Sequence, residues 1–183
     1  MKKIVLLGDS IRLIGYGQKV PELLGDEFSV WQSTDNCRFA SYTLRMLFDN
    51  RADIEGADVI HWNNGLWDEC ALFDDGSFTP IDTYVATMVR IAKLLLTMGK
   101  RVIFATTTPV SPDKPYNDNK RIAAYNAAIV PILKDMGIII NDLHTTVSQD
   151  IPNYICDDLI HLSPAGIDVC AAQVADAIKS ALV

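Results

Sequence analysis

Five short apolar runs, rich in β-branched residues, alternate along the chain with longer stretches in which apolar side chains recur every three or four positions. The runs fall at residues 3–7, 28–32, 58–62, 101–106 and 137–140, and each is followed by small or polar residues. A strand covered on both faces reads as a nearly continuous apolar run, because alternate side chains enter two different cores. The longer stretches, at about residues 17–24, 39–50, 81–98, 119–136 and 164–182, read as helices. Strands and helices in this alternation predict an α/β fold, a three-layer α/β/α sandwich of about five parallel strands. The last helix is well punctuated: Ser163 can cap it and Pro164 suits its first position, while Ile167, Cys170, Ala171, Val174, Ile178 and Leu182 share one face. No internal repeat, low-complexity tract or long linker divides the chain, so one domain over residues 1–183 is expected.

In a doubly wound sheet, ligands bind beyond the carboxyl ends of the strands. Ser10, the pair Asn63 and Asn64, the run Thr106 to Thr108, and Asn141 with Asp142 all come after predicted strands. Strand direction alone therefore gathers these scattered polar residues on one rim.

Composition narrows the partners. The chain has 183 residues, 49% of them hydrophobic, and 16 Lys and Arg against 23 Asp and Glu give a net charge of −7. Such a surface repels phosphate backbones and anionic lipid, so neither nucleic acid nor a membrane is expected as a partner. After Met1-Lys2-Lys3 only four apolar residues precede Gly8, too few for an export segment, and no run reaches transmembrane length. A soluble, cytoplasmic protein is the expectation. Cys37, Cys70, Cys156 and Cys170 form no Cys-x-x-Cys pair, and the three histidines show no i, i+4 pairing. Reduced thiols, no metal and no cofactor are expected.

Two constellations carry chemistry. Gly8-Asp9-Ser10 ends the first strand, and Asp158-Leu159-Ile160-His161 precedes the last helix. A hydroxyl becomes a useful nucleophile when an imidazole takes its proton, and a carboxylate fixes that imidazole's tautomer and stabilises its cation. Gly-Asp-Ser by itself also reads as a turn. Asp158, three residues before His161, can reach one ring nitrogen and leave the other free, with Asp157 as a competing partner. His61, inside a predicted strand, reads as a core residue, and His144 as a loop residue.

Together these blocks resemble the GDSL or SGNH hydrolase family, and the resemblance spans the whole chain. It implies a flavodoxin-like sheet and a serine esterase with Ser10 as nucleophile, His161 as base and Asp158 as orienting acid. The Gly-x-Ser-x-Gly elbow of α/β-hydrolases is absent. The chain departs from the family at the oxyanion site: the second block, Asn36 to Ser41, has no glycine, and in the third, Asn63 to Asp68, Trp67 stands at the usual asparagine position. The expected donors are the Ser10 amide, a second-block amide at Arg38 and the Asn63 side chain, with Asn64 as its competitor. Gly-Asp-Ser-Ile-Arg and Asn-x-Gly-Leu-x-Asp blocks occur in a subset of that family.

Arg12 and Arg38 could offer cations near the pocket, and Trp67, Trp62, Tyr16 and Tyr116 an aromatic wall. The expected substrate is a small-molecule or carbohydrate ester, preferably O-acetyl, since no long apolar lid is evident. Thioesterase or lysophospholipase activity, and a non-catalytic carbohydrate-binding module on the same fold, are the alternatives.

Overall fold

The computed structural model describes residues 1–183. Five strands, β1 (Lys2–Leu7), β2 (Phe28–Gln32), β3 (Val59–Trp62), β4 (Val102–Ala105) and β5 (Ile139–Asn141), form one sheet in the order β2-β1-β3-β4-β5. Every pairing is parallel. This is the flavodoxin-like order, with its switch point between β1 and β3.

Parity along the strands divides the core in two. Val5, Leu7, Ile60, Trp62 and Phe104 face one layer, while Ile4, Leu6, Val59, Ile103 and Ala105 face the other. The first layer is covered by α2 (Ala40–Asp49), α5 (Ile81–Met98) and α6 (Asn119–Asp135), through residues such as Leu47, Met88, Ile91, Tyr125 and Ile129. The second is covered by α1 (Val20–Leu24), α7 (Leu143–Ser148) and α9 (Pro164–Ser180), through Val20, Leu143, Cys170, Val174 and Ile178. Ser163 caps α9 by accepting the Gly166 amide, and Pro164 takes its first position.

The helix expected over residues 17–24 is broken up. Residues Ile11–Gly15 form one π-helical turn, Tyr16–Gln18 a 3₁₀ turn, and only α1 is α-helical. The chain is wound so closely that a Cβ at Gly17 would lie 2.6 Å from the Arg12 carbonyl. Four one- or two-turn helices escape the periodicity reading: α3 (Arg51–Ile54), α4 (Leu66–Glu69), α7 and α8 (Ile151–Tyr154). Segments this short are held by tertiary contacts rather than by an amphipathic pattern.

Candidate active site

The nucleophile turn is set by the residues at the carboxyl end of β1. Gly8 has φ of 155°, and a Cβ there would fall 1.8 Å from Asn63 Oδ1, so only glycine lets β1 and β3 release the chain this close together. Asp9 is fully buried, and its Oδ1 accepts the Ile11 amide at 2.9 Å and Asn63 Nδ2 at 2.8 Å. Burial raises the Asp9 pKa, against the opposing pull of Asn63, the Ile11 amide, Arg12 and His161. Ser10 then opens the π-helical turn, a local geometry that recurs at functional sites. Its amide donates to no protein acceptor.

Asp158 and His161, the candidate acid and base, sit on a tight loop before α9. Ile155 and Leu162 bridge across its base, the Cys156 amide donates to the His161 carbonyl at 2.9 Å, and Leu159 takes the left-handed conformation at φ 72°. That turn brings His161 Nδ1 to 2.5 Å from Asp158 Oδ2, while Asp158 Oδ1 accepts the amides of His161 and Ile160 at 2.9 and 3.1 Å. Burial opposes the ionisation of Asp158. The His161 amide and ring and the Ile160 amide outweigh it and hold the carboxyl well below the usual carboxylate range. Asp157 stays exposed and out of this pair. With Nδ1 occupied, His161 Nε2 is left without a protein partner.

The fold brings the loop to the nucleophile turn across the mouth of the β1–β3 crevice. Ser10 and Ile160, the neighbour of His161, line one cavity, and the imidazole is near enough to Asp9 to lower that carboxyl's pKa. No hydrogen bond joins Ser10 to His161, and such contacts often close only when substrate arrives. The cavity has a volume of about 200 Å³, and its walls include Trp67. A larger depression of about 620 Å³ lies behind the acid–base loop against Ser111, Asp150 and Asp157, and neither Ser10 nor His161 lines it. The smaller cavity is lined by Ser10 and is therefore the candidate site.

Three expected oxyanion donors are committed elsewhere, and the structure corrects them. The Arg38 amide, at φ 49°, donates to its neighbour Asn36 Oδ1 at 2.7 Å, an Asx turn. Asn63 gives Nδ2 to Asp9 and accepts from Tyr16 Oη at 2.9 Å. Asn64 is fully buried: its Oδ1 accepts from Thr43 and Trp62, and its Nδ2 donates to the Arg38 carbonyl. Both asparagines thus stitch the strand ends together. The threonine run does the same work, since Thr107 exchanges two bonds with Asn126 and donates its hydroxyl to the Asn64 carbonyl.

Arg12 is likewise no substrate ligand. It is fully buried, and its guanidinium donates to the carbonyls of Ser33, Gly8 and Asp35 at 2.6, 3.1 and 2.8 Å. It clamps the nucleophile turn to the second block. Arg38 lies over the Tyr42 ring at 4.7 Å and 3.7 Å from Asp35. Trp62 and Tyr16 belong to the core, whereas Trp67 and Tyr116 are exposed. His61 is fully buried, with Nε2 3.1 Å from Asn141 Nδ2 and its ring edge on Tyr16.

The motif reading passed over two features. Asp68, the last residue of the third block, is fully buried and accepts the Ala40 amide with both oxygens, tying that block to the start of α2; burial pushes its pKa up to about 7. The second is the apolar lining beside Ser10, built from Leu66, Cys70, Leu72 and Phe78. Asp68 was signalled by its block, but nothing in the local pattern marks the lining.

The three-layer α/β/α fold with order 2-1-3-4-5 is shared with solved structures of low sequence identity. A lipase/acylhydrolase from Enterococcus faecalis superposes with a TM-score of 0.82 at 19% identity, covering 98% of this chain and 96% of that one. A GDSL-like lipase from Bacteroides thetaiotaomicron gives 0.77 at 19% identity over 99% and 89% of the two chains. An acetylxylan esterase from Geobacillus stearothermophilus gives 0.74 at 16% identity over 99% and 94%. No protein-family model and no curated protein matches the sequence. No helix is long and apolar enough to cross a membrane.

Proposed function

We propose that this protein is a serine ester hydrolase working through an acyl-Ser10 intermediate. The observation that carries the reading is the Asp158–His161 pair, which holds Nδ1 and leaves Nε2 without a protein partner, on the loop whose Ile160 lines the same cavity as Ser10. His161 Nε2 takes the Ser10 proton as Oγ attacks the ester carbonyl, and the ionised Asp158 stabilises the imidazolium. The tetrahedral oxyanion is met by the open amide of Ser10. The Phe39 amide, also without a protein acceptor, joins it; its ring lies 5.1 Å from that of Phe78 on the cavity wall. His161 returns the proton to the leaving alcohol, then activates water to release the acid and restore Ser10. The ester-cleaving activities named for proteins of the same fold support this chemistry.

An active-site fluorophosphonate tests it. Wild type should be labelled stoichiometrically, and Ser10→Ala and His161→Ala should not. A wild type that is folded by circular dichroism yet unlabelled overturns the reading in favour of a binding module.

A further inference from the structure

The wall beside Ser10 is more apolar than an acetyl group requires. Leu66, Trp67, Cys70, Leu72, Phe78 and Ile160 enclose about 200 Å³ next to the nucleophile. At roughly 30 Å³ per water-sized group, about the bulk of one methylene, that space takes about six or seven of them. An acetyl methyl would leave most of it unfilled.

Three of these walls also reach the surface: Trp67 is 44% exposed, Leu72 48% and Phe78 48%. These residues belong to one structural unit. The segment after α4 doubles back, with the Phe78 amide donating to the Cys70 carbonyl, the Thr79 amide to the Asp68 carbonyl, and the Ala71 amide to the Tyr116 carbonyl. Phe78 is fixed further by its ring contact with Phe39. Scattered surface apolar residues mean little, but a cluster continuous with an apolar cavity at a nucleophile marks a binding surface.

We infer that the acyl part of the substrate is an unbranched aliphatic chain of about four to eight carbons, seated in the Leu66–Trp67–Cys70–Leu72–Phe78–Ile160 cavity with its carbonyl at Ser10. This rests on the serine hydrolase reading and sharpens it, replacing the acetyl group that the sequence favours. The aliphatic walls of Leu66, Leu72 and Ile160 suit a flexible chain. Volume sets the length limit: a fatty acyl chain of sixteen carbons overfills the cavity. Each methylene that enters should raise kcat/KM about threefold to fourfold, the factor matching ~0.8 kcal/mol of transfer free energy, until the space is full.

The test is a series of p-nitrophenyl esters from acetate to palmitate, with benzoate for comparison, below their micellar concentrations. kcat/KM should climb from acetate, peak between butyrate and octanoate, and fall by palmitate. Cys70→Phe, which fills the cavity, should bring the hexanoate-to-acetate ratio of kcat/KM close to one. A decline from acetate onward, or benzoate exceeding hexanoate, overturns the inference while leaving the hydrolase intact. A second measurement does not depend on turnover: in Ser10→Ala, hexanoate should slow N-ethylmaleimide modification of Cys70, followed by peptide mass spectrometry, and acetate should not. Unchanged Cys70 modification in saturating hexanoate also overturns it. Absence of both ester cleavage and fluorophosphonate labelling sinks the hydrolase reading instead, and the Cys70 measurement then still decides the fate of the cavity.

Discussion

Asp158 grips His161 twice, with Oδ2 2.5 Å from the ring Nδ1 and Oδ1 accepting the residue's own amide at 2.9 Å. One carboxylate therefore sets both the loop backbone and the ring it carries. Asp158→Asn keeps the shape and removes the charge, so kcat on an activated ester should fall roughly 10³- to 10⁴-fold with the fold unchanged by circular dichroism. A loss under tenfold would show that His161 is oriented without Asp158.

Gly8→Ala tests the close approach of β1 and β3. The added methyl would meet Asn63 Oδ1 at 1.8 Å, at a backbone angle that L-residues rarely adopt. Destabilisation of about 2–4 kcal/mol is expected in urea unfolding, together with loss of fluorophosphonate labelling. A variant as stable and reactive as wild type would show that the turn relaxes freely.

Arg12→Met keeps an unbranched stem out to about the position of Nε and removes the guanidinium donors. The carbonyls of Gly8, Ser33 and Asp35 lose their partner in a buried setting, at a cost of about 3 kcal/mol or more in unfolding free energy. Arg12→Lys should recover only part of this, since an ammonium cannot serve three carbonyls with the reach of a planar guanidinium. Equal stability of the Lys variant and wild type would contradict the clamp.

His61 and Asp68 give stability opposite pH dependences. Burial pushes the His61 pKa from 6.5 down to about 3, so below pH 6.5 the unfolded chain binds the extra proton and stability is lost as pH falls through that window. Burial raises Asp68 from 3.8 to about 7, so the unfolded chain ionises first and stability is lost as pH rises through that window. Each effect amounts to about 4–5 kcal/mol at its limit. Urea midpoints from pH 4 to 8 should show His61→Gln flattening the acid side and Asp68→Asn the neutral side. Unaltered profiles in both variants would refute the assignments.

The elements legible in the sequence were those whose pattern is local. β1, β3 and β4 announce themselves because a strand covered on both faces reads as a nearly continuous apolar run, and α5 and α9 because one face of each repeats toward a core. The Asp158–His161 pair was legible for the same reason, since the two residues meet across three positions of one loop. The broken helix after Ser10 was not, because its winding answers to Arg12 and Gly17 packing against the second block.

Sequence alone thus settled the layered α/β architecture and put forward the serine, histidine and aspartate of the proposed site. Tertiary structure decided everything that depends on which partner a polar group finds. Asn63 meets Asp9 across 54 residues and Asn64 meets Arg38 across 26, so side chains that looked free to serve an oxyanion are spent in the framework. The apolar cavity beside Ser10 has the same origin: its walls come from segments around residues 10, 70, 117 and 160, and only folding puts them side by side. Spacing encodes neighbours along the chain, whereas burial and hydrogen-bond satisfaction are set by neighbours in space.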